Sequence, residues 1–199
     1  MKTTAITIPF YSGKAEIQLP VVADVLQMTG AIPLAYPKTV IAKALKNPIN
    51  CSSLRSIIKK KKESKEIPKA VIVISDNTRP VPYKGESGIL MPIITALMLE
   101  GIPAEDILIL VATGTHRPLT DNELRSMLDQ KVFDLGIPII NHDCNDAEHL
   151  NHLGVTTRGT QIYIDSYYID ADIKILTGLV ESHFMAGALV GESQFVLGW

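Results

Sequence analysis

Cysteine is scarce in this chain: Cys51 and Cys144 are the two in 199 residues, far apart and in no CxxC pair. That spacing indicates neither a disulfide framework nor a thiolate metal site. Aromatic residues make up 6%, and the basic run KKKKESK at 59–65 has none interleaved, so no base-stacking surface for nucleic acid is indicated. A formal net charge of -2 removes the electrostatic motive too. The basic run reads instead as the solvated end of a helix, where cations are favoured. No apolar run approaches the roughly 20 residues needed to cross a bilayer, and MKTTAITIPFYSG lacks the apolar segment of a signal peptide. These absences predict a soluble, cytoplasmic protein with no nucleic-acid or membrane partner. Also missing are GxGxxG and GxxxxGK[ST] for phosphates, HExxH for zinc and GxSxG for a nucleophile elbow.

What is present is an ordinary globular composition, 46% hydrophobic and 20% charged, in a chain long enough to bury a real core. Residues 4–20 alternate apolar and polar on both sides of Ser12-Gly13, which predicts a β-hairpin. Ile6, Ile8 and Phe10 share one face and Ala15, Ile17 and Leu19 its partner. Two helices are expected over 38–44 and 53–62, broken at Asn47-Pro48. From Ala70 the pattern becomes strand, loop, helix, repeated: AVIVIS, then a helix over 89–100, DILILVA, a helix over 121–128, and a short strand over 137–141. A second hairpin, LGVTTRGTQIYID, and a last strand in DADIKILTGLV with its loop ESHFMAG complete the chain. The expected fold is α/β, a mainly parallel open sheet with crossover helices plus the N-terminal hairpin.

The stretch ILILVATGTHRPLT at 107–120 organises this reading. A buried strand runs into a loop where Gly114 permits a sharp turn and Pro118 blocks an immediate return to helix or ladder. His116 and Arg117 therefore lie beyond a strand's carboxyl end, where open α/β sheets bind ligands. A lone loop histidine is equally at home in solvent, so the other loops decide the matter. Under this topology three more empty on the same edge: Asp76, Asn77, Thr78 and Arg79; His142 and Asp143; Glu181, Ser182 and His183. Together with Thr115, His116 and Arg117 they offer two acid/base histidines, an arginine suited to a carboxylate, and an aspartate. Asp76 also suits bracing of its own loop. His142 and Asp143 read as a structural hydrogen-bonded pair, and His149 and His152 as solvent-facing.

At these loops the sequence resembles the nickel-pincer-nucleotide-dependent lactate racemase family, specifically its N-terminal domain. The matching motifs are SDNTRPVP at 75–82, ATGTHRPLT at 112–120, RGTQIYI at 158–164 and ADIKILTGLVESHFMAG at 171–187. The resemblance implies racemisation of 2-hydroxy acids such as lactate. One histidine takes the hydroxyl proton while the cofactor's pincer ring takes the hydride, and a second histidine serves the mirror-image substrate. By motif position the catalytic pair is His116 and His183. Arg79, with Asp76 and Arg117, falls on the substrate side, and Asp76, Thr78 and Thr115 on the cofactor side. The family's nickel-ligating histidine has no counterpart within this chain.

The resemblance breaks after Gly187, which makes 1–187 the expected racemase-like domain. The family continues with a glycine-rich SGGxK segment whose lysine tethers the cofactor, whereas this chain reads ALVGESQFVLGW. One permitted coding sequence for that tail, read two bases later, gives Ser-Gly-Gly-Arg-Lys-Ser-Ile-Cys-Pro-Gly. The expectation is that 188–199 is a shifted-frame tail, that the family's second domain is absent, and that the chain alone is inactive and does not retain the cofactor. Loss of the facing wall would uncover Leu179, Phe184, Met185, Phe195 and Trp199 and favour self-association. The alternative reading is a non-catalytic α/β domain that binds a small anion through Arg79, Arg117 and the loop amides.

Overall fold

The computed structural model describes residues 2–25, 32–183 and 187–189. The chain divides into two units, Met1–Leu34 and Ala35–Trp199. In the first, β1 (Thr3–Phe10) and β2 (Gly13–Pro20) form the antiparallel hairpin. Ile6 faces Ile17 and Ile8 faces Ala15, so the alternation in sequence becomes cross-strand pairing. Tyr11 closes the short connection at φ 51°, the left-handed conformation that tight hairpin turns demand.

The second unit begins with α1 (Pro37–Lys46) and α2 (Leu54–Lys62), the latter capped by the Ser53 side chain accepting from the Ser56 amide. There follow β3 (Ala70–Ser75), α3 (Leu90–Leu99), β4 (Ile107–Ala112), α4 (Asp121–Met127), α5 (Gln130–Asp134) and β5 (Ile139–Asn141). The remaining elements are β6 (Leu150–Val155), β7 (Gln161–Asp165), α6 (Ser166–Ile169), β8 (Ile173–Leu176), β9 (Glu181–His183) and β10 (Gly187–Leu189). Four strands make a parallel sheet in the order β5-β4-β3-β8. The fold is therefore the α/β architecture expected, with β6–β7 as a separate antiparallel hairpin.

Every residue of β3 is buried, which explains why AVIVIS shows no polar alternation: both faces of the sheet are covered. Ala70, Ile72 and Ile74 pack with Leu90, Ile94 and Leu97 of α3 and with Ile58 of α2. Val71 and Val73 belong to a smaller core with Leu110, Ala112 and Ala171, flanked by Ile164 and Tyr168. The basic run is only partly solvated. Lys62 Nζ donates to the carbonyl of Glu100 at 2.5 Å, capping the end of α3, and Lys65 pairs with Asp172 at 2.6 Å.

Strand order also locates a crevice. From β3 the chain winds outward to β4 and β5, then returns to place β8 on the other side of β3. The connections leaving β3 and β8 diverge, so a topological switch point lies at their carboxyl ends. One segment departs from expectation: Glu181–His183 is not loop but a three-residue strand, paired antiparallel with β10. Leu179 is half-buried against the larger core rather than uncovered. Phe184, Met185, Phe195 and Trp199 lie outside the described residues. Among the described residues no helix is long and apolar enough to cross a membrane.

Candidate active site at the carboxyl edge of the sheet

Parallel pairing sends the residues after Ser75, Ala112, Asn141 and Leu176 off the same edge. Asp76, directly after β3, is 2% exposed. One carboxylate oxygen accepts from the Thr78 amide at 3.0 Å and the Thr78 hydroxyl at 2.5 Å. The other meets His116 Nδ1 at 2.6 Å. Burial alone would raise the Asp76 pKa, but the bonds from the Thr78 hydroxyl, His116 and the Thr78 amide outweigh it and hold the carboxyl below its ordinary value. Asp76 therefore stays ionised, and an ionised carboxylate beside Nδ1 requires a proton on that nitrogen. The His116 side chain is 54% exposed. Its ring is thus fixed at Nδ1 and open to solvent at Nε2.

The loop bearing His116 starts with a turn in which the His116 amide donates to the Thr113 carbonyl at 2.9 Å, with Gly114 at φ 56°. Its far end enters α4 through a capping box of Thr120 and Glu123. Glu123 also receives both arms of Arg117, at 2.9 and 2.6 Å, and the Asn77 amide at 3.1 Å. The Arg117 fork is committed to this brace between two loops, whereas the sequence placed it toward substrate. The pairing lowers the Glu123 carboxyl and raises the Arg117 guanidinium.

Tyr83, unremarked in the sequence, is the side chain that joins the two sides of the switch point. Its buried hydroxyl accepts from the Ser75 amide at 2.7 Å and lies 3.0 Å from Thr177 Oγ1, which in turn donates to the Val73 carbonyl at 2.8 Å. Tyr83→Phe would leave the Ser75 amide buried without this partner, so a loss of about 1–3 kcal/mol is expected in urea unfolding. A loss below about 0.5 kcal/mol would mean the hydroxyl does not brace the site.

His142 pairs not with Asp143 but with Asp165 at the end of β7, Nδ1 to Oδ2 at 2.8 Å, and both are buried. Asp143 instead accepts from the Asn145 amide. His149 pairs with Asp146 at 2.7 Å and stacks on Tyr167, so it is half-buried, while His152 is exposed beside Gln161. Arg79 is half-buried in the same turn as Asp76, its amide 3.3 Å from the Asp76 carbonyl. His183 ends β9, downstream of β8 from the same sheet edge; its side chain lies outside the described residues.

A family model for the lactate racemase N-terminal domain matches residues 11–198. The chain belongs to that family. A lactate racemase of Thermoanaerobacterium thermosaccharolyticum is 28% identical over 159 residues, 80% of this chain and 35% of the relative. That of Lactiplantibacillus plantarum is 33% identical over 158 residues, 79% of this chain and 35% of the relative. The chain thus spans about a third of the length of the curated lactate racemases it matches. Its fold is that of the T. thermosaccharolyticum lactate racemase apoprotein, with a TM-score of 0.69 at 24% identity over 98% of this chain and 43% of that one. A Thermotoga maritima protein shares it at a TM-score of 0.52 and 19% identity, over 77% of this chain and 36% of that one.

The donor set bears on the cofactor that the lactate racemase resemblance implies. Among the described residues no three His, Cys, Asp or Glu side chains are grouped to hold a metal ion. Both Asp76 oxygens and the Thr78 hydroxyl are engaged with each other and with His116, whereas Thr115 is exposed on the Gly114 turn. The exposed Thr115 hydroxyl therefore fits a hydrogen bond to the organic part of such a group.

Proposed function

We propose that this chain carries the acid/base half of a 2-hydroxy-acid racemase site, with lactate as the reference substrate. The observation that carries the reading is the buried, ionised Asp76 holding Nδ1 of an exposed His116 beside the switch point. With Nδ1–H given to Asp76, Nε2 is the lone-pair nitrogen and can accept the substrate's hydroxyl proton; the carboxylate stabilises the imidazolium that results. Arg79, in the same turn, supplies a forked contact for the substrate carboxylate. His183, reached from the neighbouring strand, performs the same proton transfer for the other enantiomer. A nickel-pincer nucleotide, when bound, supplies the hydride acceptor and donor for the substrate carbon. Thr115 would hold its organic part, alongside the turn formed by Asp76 and Thr78.

The competing reading, an anion-binding domain, relied partly on Arg117, whose fork is taken by Glu123. The two readings separate on a protein that carries this chain, purified from cells that make the cofactor. Bound nickel is expected, together with conversion of either pure lactate enantiomer to the racemate, followed by chiral chromatography. Absence of nickel with both enantiomers unchanged would leave the binding domain standing.

A further inference from the structure

The His116 turn is fixed from outside its own loop. Thr113 is 2% exposed, and its hydroxyl donates to the backbone carbonyl of His142 at 2.6 Å. The His142 amide donates to the Val111 carbonyl at 3.0 Å, so the ends of β4 and β5 are locked around this contact. His142 is itself held through its ring by Asp165 Oδ2, and Asp165 Oδ1 accepts from the Tyr167 amide at the start of α6. Each link is short and buried or half-buried, and the Thr113 carbonyl at the end of the series accepts from the His116 amide.

We infer that Thr113 and His142 are positioning residues for His116. They carry the hold of buried Asp165, at the end of β7, to the turn that sets His116 Nδ1 on Asp76. Neither touches substrate in this scheme. The physical reason for such a relay is that the turn contains Gly114 at φ 56° and an exposed ring. The turn's backbone is permissive and its ring is more than half exposed, so the anchoring at its root helps set where the ring meets Asp76. The inference rests on the racemase reading for its kinetic consequence alone.

The test reads the His116 ring directly, by 15N NMR of the imidazole in this chain at a pH where the ring is neutral. In the parent the Nδ1–H tautomer should dominate. Thr113→Val keeps the shape and removes the donor; it should shift the ring toward the Nε2–H form, and Thr113→Ser should restore Nδ1–H. Ile94→Val, a core change away from the loop, serves as a control for general destabilisation and should leave the tautomer unchanged. Asp165→Asn weakens the relay from its far end and should give a partial shift, which keeps the question decidable if Thr113→Val does not fold. Retention of Nδ1–H in Thr113→Val, or in Asp165→Asn where that variant must serve, overturns the inference. An equal shift in Ile94→Val overturns it too. In an active protein Thr113→Val should lower kcat at least about tenfold with KM within about twofold, against the 10²–10⁴ typical of losing the acid/base group itself. Absence of racemisation in the parent would defeat the proposed function but leave the tautomer result to decide the positioning role.

Discussion

In a racemisation-active protein that carries this chain, His116→Ala should reduce turnover by about 10²–10⁴, the usual contribution of a positioned acid/base group, while leaving the protein folded. The ring is 54% exposed and belongs to no core cluster, so its removal opens no cavity. Its structural cost is confined to one bond on Asp76, whose other oxygen keeps both contacts from Thr78; about 1–3 kcal/mol is the upper range for that loss. Activity by chiral assay and stability by urea unfolding should therefore separate widely. A loss of less than roughly tenfold in a folded variant would remove His116 from the reaction.

Asp76→Asn should cost nearly as much activity, because Asp76 acts through the His116 ring it holds. An amide in its place can present its NH2 to Nδ1 and so favour the wrong tautomer, with the proton on Nε2. The same variant carries a signed pH effect. The folded-state pKa of Asp76 lies below its ordinary value, so the ionised carboxylate contributes stability above the unfolded pKa, and that contribution is lost as pH falls through the folded pKa. The stability gap between parent and Asp76→Asn should be widest at neutral pH and narrow on acidification. A gap that widens in acid would contradict the direction of the shift.

The two central strands of this edge, β3 and β4, were legible because each is a nearly unbroken apolar run closed by a polar or glycine-containing loop. β3 matches AVIVIS residue for residue, and β4 is ILILVA, DILILVA without its leading Asp106. The helices α5 and α6 were not, since five and four residues cannot display a helical period. β9 was read as loop because a three-residue strand has no alternation to show. Within the site, the contact of Asp76 with Thr78 is local and is written in the loop sequence as an Asx turn. Asp165 for His142, Glu123 for Arg117 and Thr177 for Tyr83 are pairings set by tertiary packing. Thr177, for example, is 94 residues from Tyr83, and no periodicity encodes such a distance. The capping box of Glu123 was a partial signal, because a carboxylate at the third helical position also lies where an arginine just before the helix can reach it.

The central claim is that Asp76 acts on the reaction through His116, and a double-mutant cycle tests it most directly. Residues that work as one unit lose their effects non-additively. Asp76→Asn should lower kcat by about 10²–10⁴ in the parent, yet by less than about threefold when added to His116→Ala. Losses that multiply in the double variant would contradict the claim and give Asp76 an independent task.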